Sequence, residues 1–173
     1  DPAQFSQLYQ ATADSLAGTG ASVVAYNIPD VTSVPFVFLL RLQLQQQGAI
    51  ALNPETRIYE FITSQGNFPI WIDVNGTPEE MGESDFLLLS GLTYFNQVQA
   101  GQIPPPIQPD DAVPDSLVLD GPRGGEPGSS ELEQAVGALS QYNTTIGDVA
   151  SSSGFALVDM NEIFNSIISD FQS

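Results

Sequence analysis

Apolar and polar positions alternate along the chain in a way that separates a few strongly patterned segments from a looser middle. Phe5, Leu8, Tyr9, Thr12 and Leu16 recur at helical spacing. Asp1 stands ready to cap them, Pro2 suits the first helical position and Gln4 lies at capping-box distance, so residues 1–18 predict a helix. Val23, Val24, Ala25 and Tyr26 follow as a short apolar run between Gly20 and Pro29, the pattern of a buried parallel strand. The loop at its carboxyl end carries Asn27, Asp30, Thr32 and Ser33.

Near the other terminus the regularity returns. Ser130 and Glu133 form a capping box, and Leu132, Val136, Leu139, Asn143, Ile146 and Ala150 mark one stripe of a helix reaching Gly154. Phe155, Ala156, Leu157 and Val158 predict a second buried strand, ending in Asp159. Residues 160–171 predict a last helix with Ile163, Phe164, Ile167, Ile168 and Phe171 turned inward. Two apolar strands, each preceded by an amphipathic helix ending in glycine, predict one parallel sheet in an α/β fold. The helix over 1–18 is then the crossover of a β-α-β unit whose first strand lies outside this sequence.

The middle is less regular. Val37 to Gln47 fits a short helix or a flap, and Ile58 to Ser64 is expected to be helical after the turn at Asn53 and Pro54. Phe68 to Val74 predicts a strand running into an Asn75-Gly76 hairpin turn, and Asp85 to Ser90 another strand. The stretch from Gly101 to Gly128, with Pro104, Pro105 and Pro106 in succession, predicts an extended surface loop anchored by Leu117, Val118 and Leu119. No internal repeat is present.

Composition narrows the function classes. With 173 residues and 42% hydrophobic content the chain can bury a real core, and a single domain is the default. Its formal net charge is −18, from 21 acidic side chains against three Arg and no Lys. Such a surface repels phosphate backbones and anionic head groups, which argues against nucleic acid and electrostatic membrane binding. Acidity of this degree serves solubility, in a salty or extracytoplasmic setting. No apolar run approaches the roughly 18 residues of a membrane-spanning helix, and the first residues lack the basic start of a signal peptide.

The missing residue types matter as much. Without Cys there are no disulfides, thiolate metal sites or cysteine nucleophiles, and without His neither imidazole metal sites nor a Ser-His-Asp triad can be assembled from these residues. The acidic turn Asp73, Asn75, Gly76, Thr77, Glu79 and Glu80 superficially resembles a calcium loop. Its glycine is misplaced for one, and a plain hairpin is expected. Asn75-Gly76-Thr77 and Asn143-Thr144-Thr145 match the glycosylation acceptor pattern, the second inside a predicted helix. The two strand ends, Asn27 to Ser33 and Asp159 to Asn161, can supply pocket wall and hydrogen bonds but hold no nucleophile beside a base. Asp159, between a strand and a helix, is expected to be a cap.

The run NIPDVTSVPF (27–36) is followed in order by GNFPIWIDVNG, SDFLLLS, PDSLVLD, a helix containing ALSQYNTTIGDVA, and FALVDMNEIF. This ordered set resembles the GDSL-like (SGNH) lipase and acylhydrolase family, in the bacterial branch with a long insertion. The resemblance implies a three-layer α/β, flavodoxin-like parallel sheet, here incomplete, with residues 36–128 as an inserted cap within one partial domain spanning 1–173. Phe36, Phe38, Leu39, Trp71 and Phe86 are expected to line that cap. It also implies hydrolysis of carboxylic esters, of lipid or small acyl type, through a serine acyl-enzyme. The family's GDS, G-x-N-D and D-x-x-H motifs are not in these 173 residues, so the resemblance carries over no catalytic residue. The expected substrate-binding residues are Asn27, Pro29, Asp30, Thr32 and Ser33, with no cofactor and no metal. Two other classes stay open: a non-catalytic module binding a glycan or acylated ligand, and an acidic cation-binding protein.

Overall fold

Glycines and capping carboxylates mark most boundaries in the computed structural model, which describes residues 1–123 and 127–172, the side chains of 35, 36, 38 and 168–172 excepted. The elements run α1 (Pro2–Ala17), β1 (Val24–Tyr26), α2 (Pro35–Gln46), β2 (Ile50–Leu52), β3 (Tyr59–Thr63), β4 (Gly66–Pro69), β5 (Trp71–Val74) and β6 (Thr77–Glu80). Then come β7 (Phe86–Leu87), α3 (Leu92–Gln99), β8 (Val118–Leu119), α4 (Glu131–Ser153), β9 (Ala156–Val158) and α5 (Met160–Gln172). Short 3₁₀ turns occupy Val31–Ser33, Leu89–Gly91, Pro109–Asp111 and Asp115–Leu117. The protein is therefore mixed α/β. Its residues divide into two compact units, Asp1–Val34 with Gln134–Ser173, and Pro35–Glu133, so the second interrupts the first in sequence.

In the first unit β1 and β9 pair in parallel, Val24 opposite Ala156, Ala25 opposite Leu157 and Tyr26 opposite Val158. Asp1 caps α1 by accepting a hydrogen bond from the Ala3 amide at 2.8 Å; no such bond comes from Gln4. Phe5 stacks on Tyr9 with ring centres 5.4 Å apart and meets Tyr142 of α4 at 4.6 Å. Ala25, Ile146 and Ala150 are buried together, with Phe5, Tyr9, Ile28 and Phe155 packed around them. Helices α1 and α4 thus contribute to one core beside β1. The strands themselves are not buried as the apolar runs predict: Val24 is 50% exposed, Tyr26 58% and Leu157 47%. The described residues form a sheet of only these two strands, too narrow for its apolar side chains to be covered on both faces. On α5, Ile163 and Ile167 are likewise exposed rather than inward, while Ile168 and Phe171 lie outside the described side chains.

The second unit has its own core, in which Leu40 and Leu44 of α2 meet Ile50, Phe61, Ile70, Ile72, Met81 and Phe95. It contains the antiparallel sheet β2-β3-β4 and the pairs β5-β6 and β7-β8. Residues 59–63 are a strand, correcting the helix expected over 58–64. Tyr59 and Phe61 point inward while Ile62 is exposed, a period-2 pattern, and a turn ending at Gly66, with φ of 136°, folds β4 back onto β3. The strand expected over 85–90 is cut to Phe86–Leu87, because the chain turns at Leu89–Gly91 and enters the unanticipated helix α3. The long proline-rich stretch is held as expected near Leu117–Leu119, where β8 pairs with β7 and Val118 is buried. Residues 37–46 are helical, resolving the choice between helix and flap.

Candidate functional site

The polar loop at the carboxyl ends of β1 and β9 is held by side chains from three directions. Asn27 donates from Nδ2 to Asp159 Oδ1 at 2.8 Å, and its Oδ1 accepts the Asn161 amide at 3.1 Å. Asn161 in turn accepts the Asp30 amide at 2.9 Å. Asn143 of α4 accepts the Ile28 amide and donates to the Ile28 carbonyl, both at 2.8 Å. The next residues close on themselves as an Asx turn. Asp30 Oδ1 accepts the Thr32 amide at 2.7 Å and the Thr32 hydroxyl at 2.6 Å, and the Asp30 carbonyl accepts the Ser33 hydroxyl at 2.8 Å.

Each expected loop residue can now be located. Asn27, Asp30, Thr32 and Ser33 share one hydrogen-bonded network through Asn161, with Pro29, half-buried and lacking a main-chain donor, inside the loop. Ser33 is buried at 2% exposure, its hydroxyl committed to a main-chain carbonyl, which makes it a packing residue. The Thr32 hydroxyl faces a carboxylate, but a carboxylate is too weak a base to generate an alkoxide at neutral pH, so the pair is no activated nucleophile. Asp159 is the expected cap, accepting the Glu162 amide at 2.9 Å. That bond, and then the one from Asn27, hold its carboxyl below the ordinary aspartate range. The Ile28, Asp30 and Thr32 amides are all paired within this network, which fixes the course of the loop and sets up no acid–base pair among its own residues.

Asn143 is the side chain of this network that sequence reasoning passed over, placing it in a helix stripe and in a glycosylation-acceptor pattern. Its signal was present: an amide on an otherwise apolar stripe requires a partner, and the nearest unpaired peptide groups are those of an irregular loop.

A second polar cluster lies in the other unit. Asp85, 1% exposed, accepts the Gly82 amide at 2.6 Å, the Gly121 amide at 2.8 Å and a hydrogen bond from Arg123 Nη2. Burial pushes its carboxyl above the usual aspartate range against the pull of these donors. Arg123 also reaches Glu79 at 3.0 Å and the Glu80 carbonyl at 3.1 Å. This is a structural staple between 82–85 and 121–123. The neighbouring acidic turn is the expected hairpin: β5 pairs with β6, Asn75 has a φ of 53° and Gly76 of 85°, and Asp73 accepts the Gly76 amide at 2.6 Å. Among the described residues no three carboxylates are placed to hold a metal ion.

Of the residues expected to line a cap, Leu39 is 42% exposed and Trp71 half-buried. Phe86 lies under the Arg41 guanidinium at 4.6 Å from the ring centre. The side chains of Phe36 and Phe38 are outside those described. No helix among the described residues is long and apolar enough to cross a membrane. Comparison with models of known protein families, with curated proteins and with solved structures finds no match to this chain.

Proposed function

We propose that these residues form part of the framework of a GDSL-like carboxylic-ester hydrolase, a three-layer flavodoxin-like α/β enzyme whose serine, oxyanion-hole asparagine and histidine come from residues outside 1–173. The observation that carries the reading is the loop 27–33. It combines the sequence NIPDVTSVPF with a position at the carboxyl ends of two parallel strands, the usual place for ligands in open α/β sheets, and it is pinned by Asn143, Asp159 and Asn161. In this reading Asn27, Pro29, Asp30 and Thr32 supply pocket wall around chemistry done by the missing groups, and Ser33, buried beneath them, holds the loop in shape. A neutral acyl ester suits a chain whose net charge of −18 would repel anionic substrates.

The test is an assay of short-chain nitrophenyl esters with the 173-residue chain and with the polypeptide extended on both sides through its GDS and D-x-x-H motifs. Saturable turnover is expected only from the extended form, because general-base assistance alone is worth about 10² to 10⁴ in rate. Coding sequence lacking either motif, or an inactive extended protein that contains both, would overturn the reading.

A further inference from the structure

The hairpin turn between β5 and β6 is built on a chemically weak pair. A tight two-residue turn that follows the twist of its strands needs positive φ at both central positions, and Asn75 at 53° followed by Gly76 at 85° meets that need. Asn75-Gly76 is also the one Asn-Gly step in the sequence. Glycine has no side chain to shield the peptide nitrogen after the asparagine, so that nitrogen can attack the side-chain carbonyl carbon. Residues 75–77 are exposed, and the Asn75 side-chain amide makes no hydrogen bond to another described residue.

What stands in the way is Asp73. Its Oδ1 accepts the Gly76 amide at 2.6 Å, while Asp115 Oδ1 accepts the Asn75 amide at 3.1 Å. Attack requires the Gly76 nitrogen to give up its proton, and a carboxylate is far too weak a base to take a proton from a peptide. It acts the other way. By holding the N–H and setting a negative charge beside the nitrogen, it opposes the amidate that must form. We propose that Asn75 is a site of spontaneous succinimide formation and that Asp73 guards it in the folded chain. In the step itself the Gly76 nitrogen loses its proton to hydroxide and bonds to Asn75 Cγ, the Cγ–Nδ2 bond breaks, and Nδ2 leaves as ammonia with a proton from water. Water then opens the ring at either carbonyl, giving aspartate or isoaspartate. Either product adds a negative charge beside Asp73 and Asp115, and isoaspartate also lengthens the main chain between Val74 and Thr77, which are paired across the hairpin. The altered turn lies on the strand pair whose Glu79 meets Arg123 at 3.0 Å. The proposal does not depend on the ester-hydrolase reading.

Peptide mass spectrometry on the folded chain at neutral pH, with isoaspartate scored against aspartate, follows the conversion without any substrate. Asp73→Ala should react about tenfold faster than the unaltered chain, the gain expected when the acidity of the Gly76 N–H moves by one pKa unit. Asp115→Ala frees the Asn75 amide but leaves the Gly76 amide held, so its rate should stay that of the unaltered chain. In concentrated urea, where the turn is lost, the unaltered chain and Asp73→Ala should react at one rate. Equal rates in the folded state would overturn the proposal. So would an equal gain from Asp115→Ala, which would assign the protection to the stiffness of the turn. The same gain from Asp73→Ala in urea would overturn it as well, by assigning the effect to local sequence, and absence of any conversion in urea would remove the site itself.

Discussion

Asn143 grips Ile28 by both of its peptide groups, accepting the amide and donating to the carbonyl at 2.8 Å each, across 115 residues of sequence. A helix side chain thereby does for the loop what a neighbouring strand does for a sheet. The loop departs from β1 in a direction fixed by α4. Asn161 repeats the device two residues later on the Asp30 amide.

Replacing Asn143 by Leu should therefore destabilise the protein by about 2 kcal/mol, since two part-buried peptide groups lose their partner and each unmet group costs about 1–3 kcal/mol, offset by added apolar contact. Asn143→Asp keeps the acceptor for the Ile28 amide but sets a carboxylate oxygen against the Ile28 carbonyl. It should lose stability too, and recover part of it at acid pH. Urea unfolding at two pH values checks both; a change below about 0.5 kcal/mol for Asn143→Leu would mean that the clamp is dispensable.

Gly121→Ala is expected to be severe for a steric reason. A Cβ at this position would collide with the Ser84 carbonyl oxygen and stand 2.6 Å from both Ser84 Cβ and Oγ. Backbone must move, and with it the Gly121 amide that Asp85 accepts. Overpacking of this kind costs about 1–3 kcal/mol. By contrast Gly137→Ala, where nothing lies within 4 Å and the site is a helix interior, should stabilise by several tenths of a kcal/mol. Thermal unfolding of the two variants should shift in opposite directions.

The carboxyls of Asp85 and Asp159 should titrate in opposite directions from the ordinary aspartate value. For Asp85 the folded pKa is raised, by burial first, so its protonated form favours the fold. Its contribution is present below the unfolded aspartate pKa and is lost as pH rises through the folded one. Asp159 is lowered, by the Glu162 amide and then Asn27, so its contribution is present above the unfolded pKa and is lost as pH falls through the folded one. Carboxyl-carbon NMR against pH reads both directly, and finding Asp159 above Asp85 would contradict the geometry.

Removing the Ser130 hydroxyl should cost about 1 kcal/mol. It accepts the Glu133 amide at 3.2 Å while Glu133 Oε2 accepts the Ser130 amide at 3.4 Å, the reciprocal capping box that opens α4, and the hydroxyl also donates to Glu133 Oε2 at 3.1 Å. Ser130→Ala measured by denaturant unfolding, with Ser130→Asp as the restoring control, decides whether this box starts the helix.

The outer helices were legible because their signals are local. Asp1 with Pro2 and Ser130 with Glu133 state where helices begin whatever surrounds them, and the Asn75-Gly76 pair alone dictates its hairpin. Residues 58–64 were illegible because Tyr59, Phe61 and Ile62 satisfy both periods over so short a run; the choice was made by pairing with β2 and β4, which a single segment cannot announce. Helix α3 was hidden because its eight residues follow an apolar run, Phe86 to Leu89, that reads as continuous strand. At the site, the loop Asn27–Ser33 was identified from its polar residues after a strand. Its clamp was not, because Asn143 lies more than a hundred positions away and only the fold makes them neighbours.

The pairing of β1 with β9 also sets a timetable. Asn27 waits for Asp159 across 132 residues, so no contact of the parallel pair can form until the whole of 35–133 and the helix after it have left the ribosome, a delay of roughly 7 to 26 s at 5–20 residues per second. During that interval Val24 and Tyr26 are apolar, strand-prone and without β9. The stretch 35–133, whose β2-β3-β4 and β5-β6 sheets join near neighbours in sequence, can condense meanwhile and shorten the flexible span that must later be closed. Slow synthesis across residues 35–133 is thus a benefit to this chain if that unit folds first, and a hazard if it does not.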